Sequence, residues 1–271
     1  MTTFQAILIA IIEGLTEYLP VSSTAHMIFT SSIFEIQDDE FVKMYQVSIQ
    51  FGAILAVVAL YWKKFFDFSS INFYLKLVVA VFPALVLGLL FDDKIEAIMG
   101  ETISIAVMLI VGGIFLLFVD RFFKNPKIEK EENITLLKSL TIGFWQCLAM
   151  MPGTSRSAAS IVGGMQQGLT RKLAAEFSFF LAVPTMLAVT AYSLVLKDWE
   201  YQGVEQKGYE MIFASSANTN SFILGNLIAF GVSIVAIKFF IGILSKYGFK
   251  VWGWYRIVVG LILIAYFTLN P

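Results

Sequence analysis

Six apolar stretches dominate this chain, near 44–62, 73–91, 104–123, 173–196, 221–244 and 252–269. Each is long enough to cross about 30 Å of hydrocarbon as a helix of roughly 20 residues. With 58% hydrophobic and only 14% charged residues, the chain is far more apolar than a soluble domain, which is usually about 45 to 50% apolar and roughly 25% charged. It is therefore read as a membrane protein. Two further apolar regions, 2–36 and 139–168, are interrupted by Pro20 and Pro152, each followed by small and hydroxyl residues. A proline removes a backbone donor and breaks the helix, so these regions are expected to be re-entrant hairpins.

The charged loops set the orientation. Lys63 and Lys64, the run Arg121, Lys124, Lys127, Lys130 and Lys138, the pair Arg171 and Lys172, and the group Lys246, Lys250 and Arg256 hold most of the basic residues, and the positive-inside rule places them in the cytoplasm. Asp38, Asp39 and Glu40, then Asp92, Asp93, Glu96 and Glu101, then Asp198, Glu200, Glu205 and Glu210 fall at the opposite ends. The two sets alternate only if region 2–36 enters and leaves from outside and region 139–168 from inside. Each half is then one hairpin plus three spans, the second inverted. LPVSST at 19–24 matches MPGTSR at 151–156, and FGAILAVVA at 51–59 resembles FSFFLAVPT at 177–185. The expected fold is a single integral membrane domain over 1–271, all-α and polytopic, with inverted repeats of about 1–123 and 139–271. In such a fold the site lies near the midplane, where the two breaks meet. The loops 124–138 and 198–220 read as ordinary polar connections. The single Cys147 excludes an intramolecular disulfide framework. Without Lys or Arg in its first twelve residues, the N-terminus reads as part of the fold rather than a cleaved signal.

The polar residues of the hairpins carry the chemistry. Glu13 and Glu17 are four apart, so both carboxylates project from one helical face. In an apolar setting such a pair costs several kcal/mol unless a cation or proton intervenes. Oxygen ligands with open positions suit Mg²⁺ or Ca²⁺ better than Zn²⁺. After Pro20, Ser22, Ser23 and Thr24 offer hydroxyls and backbone N–H groups at a helix N-terminus, a phosphate cradle. His26, the only histidine, can move a proton near neutral pH. In the facing hairpin Arg156 stands between Ser155 and Ser157, and its planar fork matches phosphate oxygens. Together these residues describe phosphoryl transfer or hydrolysis.

Plainer roles compete. The carboxylates could form a proton relay in a transporter; the hydroxyls could cap helices or pack closely; the histidine could be a satisfied interior group; and Arg156 could simply neutralise Glu13 or Glu17. Glu176, at the cytoplasmic start of a span, reads as a cap or as a partner of Arg171 or Lys172 and is left off the site. A transporter or lipid flippase therefore stands beside a lipid phosphatase. No clustered basic and aromatic face suggests nucleic acid.

EGLTEYLPVSST with Ala25 and His26, PGTSRS after WQCLAMM, and the intervening QFGAILAVV and FPALVLGLLF resemble the undecaprenyl-diphosphate phosphatase family of bacteria, also known for bacitracin resistance. The resemblance spans essentially the whole chain. It implies hydrolysis of the C55 isoprenoid diphosphate to the monophosphate carrier lipid of cell-wall synthesis, with a divalent metal, in the bacterial cytoplasmic membrane. By matching position, Glu13 and Glu17 resemble the family's acidic pair, Ser23 the nucleophile flanked by Ser22 and Thr24, His26 the catalytic histidine, and Ser155 with Arg156 the diphosphate-binding pair. Either attack by Ser23 helped by His26 or direct attack by water with His26 as base fits these residues. Two positions depart from the family pattern: Ala25 and Ala158 replace commoner glycines, and alanine at positive φ would be strained. A polyprenyl tail can remain in hydrocarbon while its head enters the pocket from the extracytoplasmic leaflet. The sequence leaves open the oligomeric state, a homodimer included, the preferred metal and the prenyl chain length.

Overall fold

The computed structural model describes residues 1–99 and 102–269, with the backbone alone for 92–99. The outer-end assignments of Asp92, Asp93, Glu96 and Glu101 therefore lie outside the described residues and side chains. The chain is helical almost throughout. The first broken region is α1 (Thr3–Thr16) and α2 (Ser23–Ile33). Then come α3 (Glu40–Ser48) and α4 (Gln50–Leu60), the short α5 (Trp62–Phe65), α6 (Ile71–Met99) and α7 (Thr102–Phe122). The second broken region is α8 (Leu136–Cys147) and α9 (Arg156–Gln166). α10 (Arg171–Ala191), α11 (Gly208–Phe213), α12 (Ser216–Tyr247) and α13 (Lys250–Leu269) complete the chain.

Among the described residues, six helical segments are long and apolar enough to cross a membrane: Glu40–Leu60, Ile71–Phe91, Thr102–Phe122, Arg171–Leu196, Ser216–Tyr247 and Lys250–Leu269. They match the six stretches expected from sequence. The protein is an all-α, multi-pass membrane protein. Each broken region yields two helices of 14 residues or fewer, too short to span singly.

The packing is reciprocal. α1 lies along α12 and α8 along α6; α4 touches α12 and α10 touches α6; α4 meets α10, and α7 runs with α13. Lipid offers no hydrophobic drive to associate helices, so close approach of backbones does the work, and small residues permit it. A Cβ on Gly14 would press on the Ala229 carbonyl of α12, one on Gly143 on the Ala80 carbonyl of α6, and one on Gly113 on the Gly253 carbonyl across α7 and α13. The main apolar cluster, including Tyr18, Phe73, Phe177, Phe179, Phe180 and Phe240, lies between these helices.

The two ends differ in chemistry. At one, Phe41, Tyr45, Trp199 and Met211 form a buried cluster with Met1 and Tyr201 packed against it. At the other, Arg171 pairs with Asp120 at 2.7 Å, Asp120 also accepts from the Phe249 N–H, and Lys127 and Ile128 donate to Gly168. The loops differ from the plain connections expected. Residues 198–207 form an antiparallel hairpin of β1 (Asp198–Tyr201) and β2 (Val204–Lys207), turned through Gln202 and Gly203 at positive φ. Loop 124–138 is pinned by Glu131, which binds Lys64 at 2.6 Å and Lys76 at 2.8 Å. Arg256 requires a correction. It is no cytoplasmic loop charge: it sits inside α13 and is 1% exposed.

Candidate active site

The two breaks meet, and each is built by the same local device. Ser22 (φ 70°) caps α2 and Ser155 (φ 74°) caps α9, both in a positive-φ conformation that costs a non-glycine residue on the order of 1–3 kcal/mol. Each cap hydroxyl accepts a backbone N–H three residues on, Ser22 from Ala25 at 3.4 Å and Ser155 from Ala158 at 3.3 Å. The alanines that depart from the family pattern are thus helical and unstrained; the strain sits on the serines before them.

The charges lie against their own helix dipoles. Glu13 is in the last turn of α1 and Glu17 is its C-cap, where free carbonyls already concentrate negative charge. Arg156 is the first residue of α9, where N–H groups concentrate positive charge. Each is placed where an opposite charge would be welcome, and they find one another. Arg156 Nη2 donates to Glu17 Oε1 at 2.6 Å, across 139 residues of sequence. Its Nη1 donates to the Ser178 carbonyl at 3.0 Å, and its side chain lies over the buried Tyr18 ring. Ser23 Oγ donates to the other Glu17 oxygen at 2.6 Å. Ser157 Oγ reaches across to the Leu19 carbonyl at 2.6 Å, with Ser155 Oγ 3.0 Å from Ser157 Oγ.

Two groups in this cluster are left unsatisfied. Both Glu13 oxygens are buried without a hydrogen-bond partner, and so is Arg156 Nε. Buried polar atoms are normally paired, and exceptions mark ligand or ion positions. The orphaned acceptor pair on Glu13 fits a cation, and the orphaned donor on Arg156 fits an anion. Glu17 is less available, since each oxygen already holds a partner. The described residues contain no cluster of three or more His, Cys, Asp or Glu, so a metal here would draw its remaining ligands from substrate and water.

His26 is held by its own cap residue. Its Nδ1 lies 2.8 Å from the Ser22 carbonyl, which can only accept, so Nδ1 carries the proton. In the neutral ring Nε2 then accepts from the Tyr255 hydroxyl at 2.9 Å, with the two rings nearly parallel at 9°. Ser23 is hydrogen-bonded to Glu17 and not to His26. Thr24 is half-buried on α2 and joins none of these bonds. Glu176 lies apart, lining a cleft of about 630 Å³ with Tyr61, Lys64 and Glu131; Arg171, offered as its partner, is bound to Asp120.

Sequence reasoning missed Tyr255 and Arg256. The signal was present: Arg256 falls six residues into an apolar span, where a cation is costly.

A sequence profile described as bacitracin resistance protein BacA matches residues 6–262. A protein of Flavobacterium johnsoniae named undecaprenyl-diphosphatase is 51% identical over all of this chain and 98% of its own length. One of Porphyromonas gingivalis with the same name is 48% identical over 98% of this chain and 96% of its own. Undecaprenyl-diphosphatase 1 of Clostridioides difficile is 39% identical with the same coverage.

Proposed function

This chain belongs to the bacitracin resistance protein BacA family, and on that footing we propose that it hydrolyses undecaprenyl diphosphate to undecaprenyl phosphate and inorganic phosphate. The reaction returns the carrier lipid to peptidoglycan synthesis and underlies bacitracin resistance. The names of its relatives support the substrate; the residues at the two breaks support the chemistry.

One observation carries the mechanism: the Glu17 carboxylate is shared between the Ser23 hydroxyl and the Arg156 guanidinium, each at 2.6 Å. Glu17 is thereby the base for Ser23. As Ser23 Oγ attacks the terminal phosphorus, its proton passes to Glu17 and the bond to the bridging oxygen breaks, releasing undecaprenyl phosphate. Arg156, uncoupled from Glu17 as that carboxylate is protonated, turns its fork to the phosphoryl oxygens. Water then cleaves the seryl phosphate. Glu17 returns its proton to Ser23 Oγ, and His26 Nε2, one turn further along α2, takes the proton of the water. The caps Ser22 and Ser155 hold the N-termini of α2 and α9 toward the anion. Glu13, and Glu17 through the oxygen that Arg156 leaves, would hold Mg²⁺ or Ca²⁺, whose charge offsets that of the diphosphate.

The reciprocal packing and the twin caps support inverted repeats of residues 1–123 and 139–271. The prenyl tail lies in hydrocarbon, and the head is taken from the extracytoplasmic face of the bacterial cytoplasmic membrane, the side on which the acidic loops fall.

Phosphate release by the purified protein from undecaprenyl diphosphate in detergent is the deciding measurement. Turnover should disappear in Ser23→Ala and Glu17→Gln and with a chelator. Full turnover by Ser23→Ala would make water the nucleophile. Absence of phosphate release by the unaltered protein, with movement of the lipid across vesicles, would establish the transporter reading instead.

A further inference from the structure

Arg256 is among the largest fully buried side chains, and its five hydrogen bonds all go to backbone carbonyls. Nε donates to Leu109 at 3.2 Å; Nη1 donates to Pro20 at 3.3 Å and Thr154 at 2.9 Å; Nη2 donates to Met108 at 3.3 Å and Gly153 at 2.6 Å. Leu109 and Met108 belong to α7, Pro20 to the first break, Gly153 and Thr154 to the second. One guanidinium therefore ties both breaks to the α7 and α13 pair. Gly112 makes the room, since a Cβ there would overlap the guanidinium.

We infer that Arg256 is a positioning residue for the hydrolysis proposed above, and the inference rests on that reading: it sets the peptide planes of both breaks, so that the Val21 and Thr154 N–H groups close their own turns onto Leu19 and Met151 while the Ser155 N–H is left for the diphosphate. The physical reason is the trans peptide. Its C=O and N–H point in opposite directions, so capture of the Thr154 carbonyl turns the Ser155 N–H away from Arg256. Carbonyls in a helix break have no intrahelical donor, and without the guanidinium they are free to turn toward the site, where they would repel a phosphate. A carboxylate partner would have neutralised the charge; five carbonyls leave it positive beside an anion site. Lysine, a point charge with three donors, cannot span carbonyls on three elements as a planar fork with five donors does.

The test uses the full-length protein in detergent, with undecaprenyl diphosphate as substrate. Arg256→Lys should lower kcat/KM by roughly 30-fold to 100-fold, the scale of a misplacement near 1 Å. Its effect should be non-additive with Arg156→Lys, the double variant being less than about threefold worse than Arg156→Lys alone, because the clamp acts by placing that arginine's loop. Amide hydrogen exchange should quicken over both 19–25 and 151–158, with no substrate present. Should Arg256→Lys not fold, Gly112→Ala displaces the guanidinium with its charge intact, and the same three results are expected. Near-normal turnover, fully multiplying losses, or exchange unchanged at either break would overturn the clamp. If the unaltered protein releases no phosphate, the hydrolase reading fails by itself, and the exchange measurement still judges the clamp.

Discussion

Ser22 and Ser155 illustrate what single residues conceal in a sequence. The motifs following Pro20 and Pro152 were legible as broken helices with polar cargo, and Glu13, Glu17, Ser23 and Arg156 do converge. Which residue bears the positive φ was not legible, because serine rarely adopts it and glycine was the expected marker. With Ala25 and Ala158 inside helices, restoring glycine at either should bring no relief. Ala25→Gly is expected to lower stability by about 0.5–1 kcal/mol with turnover unchanged, measured by melting in detergent beside phosphate release. Glu13 should behave in the opposite sense. Its two unpaired buried oxygens are a standing cost, so Glu13→Gln should melt no lower than the parent while losing roughly 100-fold or more in turnover, the scale of one preorganised electrostatic group. A melting point that falls together with activity would show that Glu13 is paired in the working protein. Arg156→Lys keeps the charge beside Glu17 but loses the fork that also reaches Ser178. Its rate should fall by about 30-fold to 1,000-fold with folding intact.

At the scale of elements, the six spans were plain in the sequence because length and apolarity alone define them. The β1–β2 hairpin was not. Its eight paired residues, Asp198–Tyr201 and Val204–Lys207, carry charges that read as loop, and it is held through Trp199, whose indole N–H donates to the Ser193 carbonyl at 2.9 Å. Loop 124–138 likewise read as an ordinary polar connection, whereas Glu131 anchors it between Lys64 and Lys76. Burial by itself would raise the Glu131 carboxyl, but the hydrogen bonds and charges of the two lysines outweigh it and hold the group below its usual 4.5. A carboxyl depressed in the folded state binds fewer protons there than when unfolded. Its contribution to stability is therefore complete above the unfolded value and is lost as pH falls below about 4.5 through the folded value. Glu131→Gln should accordingly lower the melting temperature at pH 7 and flatten its decline in acid. An unchanged acid limb would mean that other carboxylates govern it.

For the whole molecule, the question is which end faces out, and the charge sorting and the packing bear on it separately. The packing brings Asp39 to the Met1 amino group, at 3.8 Å, and sets the β1–β2 hairpin against α3 at that same end. It brings Asp120, Arg171 and Phe249 together at the other. Neither end alone states a direction, since no membrane enters the packing; the lysine and arginine bias supplies it. A cysteine introduced at Asp39 or Glu205, in a Cys147→Ser background, should react with an impermeant thiol reagent added to intact cells. One at Lys127 or Lys246 should react only after the cells are opened. The two sets lie on opposite ends of the fold, so the six-span reading expects one set or the other to react. Labelling of the basic-end pair alone would turn the site toward the cytoplasmic leaflet while leaving the chemistry at Ser23, Glu17 and Arg156 untouched. Equal labelling of both sets would contradict six spans joined by hairpins that return to their own side, and the shared midplane site would lose its basis.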